Sequence, residues 1–155
     1  ERAANPAREA GIRTVHPRLG MVLSPKGGAL EQMLTPFRFG VGGRIGSGSQ
    51  YWAWISLDDA VGVIRVAIDR HDLTGPVNAV APDPPTCTEF VKALGRTLHR
   101  PTILPMPAFA ARLVLGEFAD AALLASTRAV PARLKAIDYS FTHPSIDACF
   151  NDLLG

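Results

Sequence analysis

Cysteine, long apolar runs and runs of like charge are all scarce in this sequence. The two cysteines, Cys87 and Cys149, lie far apart and form no C-x-x-C motif, which excludes a disulfide framework and favours a reducing compartment. No apolar stretch reaches the length of a membrane span, and the N-terminal segment is too polar for a secretory signal. We therefore expect a cytoplasmic protein without membrane contact.

The charges and histidines exclude two further classes of site. The 16 basic and 14 acidic residues are mixed along the chain and leave a formal charge of +2, so there is no basic patch for nucleic acid. The four histidines lack the H-x-x-x-H spacing typical of metal ligands. With 155 residues, 47% of them apolar, the chain can bury a core, and we predict a globular protein without metal or nucleic acid.

Glycine is concentrated in one loop, between Gly40 and Gly48. Such loops can bind phosphates, but the third glycine of a G-x-G-x-x-G pattern comes one position late here, at Gly46. A helical pattern precedes the loop and a strand-like pattern follows it, which reverses the order of a dinucleotide site. We interpret the loop as a mobile connection that either admits a ligand or only turns the chain.

Apolar periodicity and capping residues predict an alternation of strands and helices. A strand over residues 51–57 leads to Asp58, which we expect to be the N-cap of a helix with an apolar face at Val61, Ile64 and Ile68. A T-x-x-E capping box predicts a helix over residues 87–99. The remaining predictions are helices over 29–39, 107–115 and 117–125, helices from Pro131 and after Ser145, and strands over 12–16, 76–81 and 139–141.

Several motifs together resemble one family. They are LGMVLSPKGGAL (19–30), GSGSQYWAWISLDD (46–59), GPVNAVAPDP (75–84) and LGRTLHRP (94–101). In order and spacing they are similar to the epimerase-family branch of the atypical extended short-chain dehydrogenase/reductases, over essentially the whole chain. The resemblance implies an α/β fold: the C-terminal part of an extended Rossmann-type protein, with the last sheet strands and a small, mostly helical substrate lobe.

The resemblance also implies a division of the chain and a partner. Residues 1–24 would end the Rossmann domain, residues 25–155 would form the substrate lobe, and residues 58–82 would return to the Rossmann sheet. The family's N-terminal Rossmann half carries the NADP site and the catalytic tyrosine region, and this chain has no Tyr-x-x-x-Lys motif. We therefore expect no catalytic residue here and an inactive chain when it is alone.

Two functions are compatible with this resemblance. The complete protein would be an NADP-dependent oxidoreductase or epimerase-like enzyme, for which this chain supplies the substrate-binding half. The alternative is a non-catalytic regulatory module that binds NADP or another ligand on the same fold. Because an unpaired strand edge invites pairing with another chain, we also expect either self-association or dependence on the N-terminal half.

The resemblance assigns candidate site residues to two groups. Those expected beside the cofactor are Arg18, Leu19 and Gly20, and those expected to border a cleft for an unknown small-molecule substrate are Ser24, Lys26, Gly27, Gly28, Trp52 and Trp54. In sugar-nucleotide members of the wider class an arginine occupies the place of Trp52. Because tryptophan offers a flat apolar face and one N–H, the sequence favours a ring or an apolar ligand.

Each of these residues also has a structural interpretation. Trp52 and Trp54 could pack in the core or between domains, Arg18 could pair with a carboxylate, and Lys26 could be an exposed loop lysine. Asp58 and Asp59 could be an acid–base pair, but a capping role explains both.

Overall fold

A computed structural model describes residues 1–107 and 123–155 of the chain. After a 3-10 turn at Arg2–Ala4, the described helices are α1 (Asn5–Glu9), α2 (Gly28–Arg38), α3 (Leu57–Asp69), α4 (Cys87–Leu98), α5 (Ala132–Ala136) and α6 (Ile146–Leu154). The described strands are β1 (Val15–Leu19), β2 (Met21–Leu23), β3 (Trp54–Ser56) and β4 (Gly75–Ala79). The predicted helices over 107–115 and 117–125 lie almost entirely outside the described residues.

The strands form two parallel pairs that meet at Gly20. β1 pairs with β4, and β2 pairs with β3. The Gly20 N–H donates to the Ala79 carbonyl at 3.1 Å, and the next N–H, of Met21, donates to the Ala53 carbonyl at 2.8 Å. The chain therefore passes from one pair to the other within two residues, and the α/β class predicted from the sequence is confirmed.

β1 begins and ends later than the strand predicted over residues 12–16. Pro17, which the sequence predicts as the end of the strand, lies inside it. The Gly75 N–H donates to the Thr14 carbonyl, and the Gly20 N–H donates to Ala79, so the even-numbered residues of β1 are bonded to β4. Pro17 is odd-numbered and directs its nitrogen to the opposite edge, where the lack of an N–H breaks no bond to β4.

Two clusters of buried side chains form the core. The first lies among α2, α4, α6 and the segment before β3, where Phe90 makes edge-to-face contacts with Trp52 and Phe150 at ring-centroid distances of 5.0 and 5.1 Å. Both cysteines are buried and free within this cluster, as expected. Burial is the main cause that raises the pKa of the Cys149 thiol to about 12.

The second cluster lies beneath α3 and α5. Its buried members come from both strand pairs and both helices, and they are Ile55, Ala60, Val63, Ala67, Leu73, Val77, Ala79 and Leu134. The two clusters are the reason that short strands suffice here, since each strand is covered by at least one helix.

Two predictions about α3 are wrong. Its N-cap is Ser56, whose hydroxyl accepts the Asp59 N–H at 3.1 Å, and Asp58 lies inside the first turn. The face that packs on the core carries mainly small residues, whereas Val61, Ile64 and Ile68 are exposed. Periodicity correctly located the face with the large apolar residues. It could not show that the other residues of this chain pack on the opposite face.

Capping residues define two other helices as predicted. In α4 the Thr86 hydroxyl accepts the Glu89 N–H, and the Glu89 carboxylate accepts the Thr86 N–H at 2.7 Å, which is the full capping box. α6 begins after Ser145, whose hydroxyl accepts the Ala148 N–H.

The predicted strand at residues 139–141 is wrong, because the backbone of this segment pairs with no other described strand. The rings of Tyr139 and Phe141 pack edge to face against each other. None of the helices in residues 1–107 and 123–155 is long and apolar enough to span a bilayer.

Candidate functional site

A cavity of about 330 Å³ opens where β1 ends. The carboxyl end of a parallel strand is the usual place for ligands in open α/β sheets. The described residues that line this cavity are Leu19, Gly20, Met21, Ala29, Tyr51, Trp52, Ala53, Leu123, Ala125 and Thr127. Because nearly all of these side chains are apolar, the cavity suits an apolar or ring-bearing group better than a phosphate.

Trp52 forms the floor of the cavity. Its side chain is almost fully buried, and the indole Nε1–H donates to the Leu123 carbonyl at 3.1 Å. The same carbonyl accepts the Gln50 side-chain N–H at 3.0 Å. With its one donor satisfied by the protein, Trp52 can offer a ligand only apolar contact.

Gly20 lines the cavity at a point with no room for a side chain. A Cβ at this position would lie 2.8 Å from the Ala53 carbonyl oxygen and 3.0 Å from the Trp54 nitrogen. The tight approach brings Leu19 and Ala53 to the same cavity. Glycine is therefore required here by steric contact with backbone, and not by an unusual backbone conformation.

Tyr51 and the segment at Thr127 close the outer side. The Thr127 N–H donates to the Tyr51 carbonyl at 2.9 Å, and the Tyr51 N–H donates to the Ser126 hydroxyl at 3.1 Å. This pairing holds the Arg128 guanidinium over the Tyr51 ring, 4.8 Å from its centroid. Tyr51 thus separates the apolar cavity from a charged cleft that Lys92 and Arg128 help to line.

The structure brings together only some of the candidate residues. Leu19, Gly20 and Trp52 line the cavity. Arg18 does not: its guanidinium binds the Glu1 carboxylate through Nε at 2.8 Å, and this pairing raises the pKa of Arg18 and lowers the pKa of Glu1. Trp54 is fully buried in the core and donates to the Asp83 carbonyl at 3.3 Å.

The turn of residues 24–28 lies beside the cavity without lining it. Ser24 and Gly27 form a bridge, and the Ser24 hydroxyl accepts the Lys26 N–H at 3.2 Å. The turn leads into α2, and the lining residue Ala29 directly follows Gly28. Lys26 is exposed, so the turn shapes the approach to the cavity through the position of α2.

The glycine-rich loop is tied down by hydrogen bonds and does not line the cavity. The Gln50 side chain is buried and donates to the Ile45 carbonyl at 2.9 Å. At the other end of the loop, the Gly48 carbonyl accepts both the N–H and the hydroxyl of Thr88. The loop therefore fastens the segment before β3 to α4, whereas the sequence predicts a mobile connection.

The two adjacent aspartates have different environments, and neither lines the cavity. Asp58 is exposed, whereas the Asp59 carboxylate is buried and accepts the Ser56 hydroxyl, the Thr142 N–H and the His143 N–H at 2.8 to 2.9 Å. His143 in turn lies 3.0 Å from the Asp152 carboxylate through Nε2. Asp59 is thus a structural anchor that joins α3 to the segment before α6.

Sequence reasoning missed the outer half of the cavity. Tyr51 directly precedes Trp52, which the resemblance singled out, and this position could have indicated that Tyr51 also lines the cavity. Thr127 belongs to no motif, and it reaches the cavity only because the chain returns to pair with Tyr51. No three histidine, cysteine, aspartate or glutamate side chains within residues 1–107 and 123–155 are grouped as metal ligands would be.

Known proteins are similar to this chain in sequence and in fold. The domain family described as "Domain of unknown function (DUF1731)" matches residues 106–153. The chain is 47% identical over 146 residues to epimerase family protein Mb2239 of Mycobacterium bovis, covering 94% of this chain and 48% of that protein. It is 41% identical over 143 residues to epimerase family protein SDR39U1 of Mus musculus, covering 92% and 48%. This chain belongs to the epimerase family.

Solved structures of this family agree with the fold. Human epimerase family protein SDR39U1 with NADPH aligns with a TM-score of 0.88 and 35% identity, covering 92% of this chain and 48% of that one. A nucleoside-diphosphate sugar epimerase from Corynebacterium glutamicum aligns with a TM-score of 0.78 and 31% identity, covering 99% and 28%. The fold is thus the C-terminal part of an extended short-chain dehydrogenase/reductase, and the chain spans about half the length of the curated relatives it matches.

Proposed function

We propose that this chain is the substrate-binding half of an NADP-dependent oxidoreductase or epimerase-like enzyme. The observation that carries the proposal is the apolar cavity at the carboxyl end of β1, which Leu19, Gly20 and Trp52 line together. The human structural neighbour was solved with NADPH, which supports the choice of cofactor. In this proposal residues 1–24 end a Rossmann domain and residues 25–155 form the substrate lobe.

The residues at the cavity fit one end of NADP better than the other. Leu19 and Gly20 present an apolar, closely packed wall that suits the flat nicotinamide ring. Arg18 pairs with Glu1 at the surface and does not line the cavity. When bound, NADPH supplies a hydride; this chain would hold the substrate carbon near that ring and exclude water.

The lining of the cavity favours a substrate with an apolar ring. Trp52 has its N–H bonded to Leu123, and the surrounding alanines leave a smooth apolar surface. A sugar nucleotide would bring a pyrophosphate to a floor that has no cation at the position of Trp52. We therefore propose a cyclic or aromatic carbonyl compound, or the matching alcohol, as the substrate class.

The test is a fusion in which the N-terminal half of the Mycobacterium bovis relative precedes this chain. We expect this fusion to bind NADPH and to oxidise it with ring-bearing ketones or aldehydes in preference to sugar nucleotides. Ala29→Leu, which fills the cavity, should lower kcat/KM about tenfold or more. Ala132→Leu, at an exposed position of α5 outside the lining, is the matched control and should leave kcat/KM unchanged.

Three results would contradict this proposal. If the fusion folds but does not bind NADPH, the assignment of NADP as the cofactor is wrong. If Ala29→Leu and Ala132→Leu change kcat/KM equally, the cavity is not part of the substrate site. NADPH binding without oxidation of any compound, combined with thermal stabilisation by ring-bearing ligands, supports a regulatory ligand-binding module instead.

The cellular location is a further part of the proposal. Both cysteines are buried and free, which suits a reducing compartment, and we propose the cytoplasm. Localisation of a fluorescently tagged chain to a membrane or to the cell exterior would contradict it.

A further inference from the structure

The outer face of α4 carries a groove lined by basic side chains, which we call the α4 groove. It has a volume of about 420 Å³ and lies between the second half of the helix and the segment that follows it. Its basic lining residues are Lys92, Arg96, His99 and Arg100, and its other described lining residues are uncharged. The lysine and the two arginines alone carry more positive charge than the formal +2 of the whole chain.

The α4 groove is separate from the apolar cavity, and helix stability explains only part of it. The two sites have no described lining residue in common. A basic residue in the last turn of a helix stabilises the negative end of the helix dipole, and Arg96 lies there. Lys92 precedes that turn and Arg100 follows the helix, so the dipole does not account for the whole set.

Both arginines of the groove are held in place by a neighbouring element. Nη2 of Arg96 binds the Asp147 carboxylate of α6 at 2.6 Å. The Nε–H of Arg100 donates to the Arg38 carbonyl at the end of α2 at 2.9 Å. Because a guanidinium has five N–H donors, these contacts orient the two side chains and leave further donors for a ligand.

Gly95 lets the second wall of the groove approach the helix. A Cβ at this position would overlap the Thr102 side chain and would lie 2.9 Å from the Arg100 carbonyl oxygen. The segment after α4 therefore folds back against the last turn of the helix. This return brings Arg100 to the same groove as Lys92 and Arg96.

His99 occupies the position at which a glycine commonly ends a helix. Its φ of 53° and ψ of 44° lie in the left-handed region, which a residue with a side chain adopts at a cost. Among the described residues, Asp138 is the one other non-glycine with a positive φ. An imidazole kept at a strained position beside three cationic side chains indicates a function for that side chain.

We propose that the α4 groove binds a small anion with two or three linked phosphate groups. Guanidinium forks match phosphate oxygens, and the lysine and histidine add further N–H donors. Between Lys92 and His99 the helix advances about 10 Å, which exceeds the span of one phosphate and suits a short chain of them. This anion is neither the substrate nor the cofactor of the proposed function, because the groove and the cavity are separate.

Titration with inorganic triphosphate tests the proposal. At low ionic strength the triphosphate should shift the backbone amide NMR signals of residues 92–102, and the shifts should saturate. Addition of about 0.5 M sodium chloride should weaken the affinity about tenfold or more, because salt screens exposed charges. The fusion with the N-terminal half of the Mycobacterium bovis relative, saturated with NADPH, should bind triphosphate with the same affinity as the chain alone.

Removal of the two arginines tests the location of the site. Arg96→Gln combined with Arg100→Gln should lower the affinity for triphosphate about tenfold or more. Arg8→Gln combined with Arg65→Gln is the matched control, since both arginines are exposed and lie outside the groove. The control removes the same amount of charge and should change the affinity less than twofold.

His99→Gly separates a binding role from a structural one. Because glycine adopts the left-handed region without steric cost, the melting temperature of this variant should not fall. Its affinity for triphosphate should nevertheless fall severalfold, since a donor of the groove is lost. Asp138→Gly is the matched control: it makes the same change at a φ of 54° and should not weaken binding.

Three outcomes would overturn the proposal. If the signals of residues 92–102 show no saturable shift in a folded protein, the groove is not an anion site. If the two double variants lose affinity equally, triphosphate responds only to the overall charge. If polyglutamate or a single-stranded oligonucleotide binds more tightly than triphosphate, the groove is a surface for an acidic protein or for nucleic acid. None of these results depends on NADPH oxidation by the fusion.

Discussion

Gly20 is the residue on which the shape of the cavity depends most directly. It lies between β1 and β2, and the Ala53 backbone occupies the space that a side chain would need. The hydrogen bond from Gly20 to Ala79, which extends the β1–β4 pair, and the bond from Met21 to Ala53, which extends the β2–β3 pair, are made at this point. A side chain here must therefore move either the wall of the cavity or the junction of the two pairs.

We expect Gly20→Ala to lower the free energy of unfolding by about 1–3 kcal/mol, because its Cβ would overlap backbone that cannot rotate away. Urea unfolding followed by circular dichroism measures the change. Gly27→Ala is the control, since a Cβ at Gly27 meets nothing within 4 Å and its φ of 174° is ordinary extended backbone. Equal effects of the two substitutions would show that steric contact with Ala53 is not the cause.

The sequence predicted residue types at the site better than it predicted their partners. A local motif singles out Trp52, which lines the cavity, and its role in substrate binding stays a prediction. Arg18 belongs to the same kind of motif, but its partner Glu1 lies 17 positions away in the chain, and no local pattern indicates that contact. A motif indicates the element on which a side chain lies, whereas the tertiary structure determines which residues the side chain contacts.

At the scale of single elements, local signals were reliable and the choice of face was not. The capping box of α4 and the serine cap of α6 depend on residues within one turn, and the structure has both. The face of α3 depends on what packs on it. The exposed position of Ile64 could not be predicted from periodicity, which is the same for a helix covered on either side.

The capping box of α4 makes the stability dependent on pH in one direction. Hydrogen bonds from the Thr86 N–H and hydroxyl to the Glu89 carboxylate lower the pKa of Glu89 in the folded protein. A carboxyl with a lowered folded pKa stabilises the fold above its unfolded pKa, and this contribution is lost as the pH falls through the folded pKa. Protonation removes the charge that strengthens these two bonds.

We therefore expect Glu89→Gln to reduce the free energy of unfolding at neutral pH and to have a shrinking effect as the pH falls below the ordinary carboxyl range. Urea unfolding at a series of pH values measures the difference between the two proteins. Glu31→Gln, in the first turn of α2, is the control and should show a smaller effect. A difference for Glu89 that stays constant into acid would contradict the role of its charge.

At the scale of the whole molecule, this chain holds part of a site. Residues from distant segments line the cavity, so in the proposed function the described residues organise the substrate side. The resemblance assigns the phosphate-binding helix end to the other half of the family protein, and the sequence has no glycine fingerprint of that kind.

Titration of the chain alone with NADPH should therefore show no binding in the micromolar range, because the resemblance places the groups that bind the pyrophosphate in the other half. Isothermal titration calorimetry gives the answer, and the fusion with the N-terminal half of the Mycobacterium bovis relative is the positive control. Micromolar binding by the chain alone would mean that it carries a phosphate site of its own.

The exposed apolar side chains of α3, among them Val61, Ile64 and Ile68, also bear on the order of synthesis. A ribosome releases the N-terminal half of a protein first, and domains begin to fold as they emerge. In a protein as long as the relatives, the first half is already available when the segment from β1 to α3 leaves the ribosome. A chain that folds without that half presents the exposed apolar side chains of α3 to chaperones from the start.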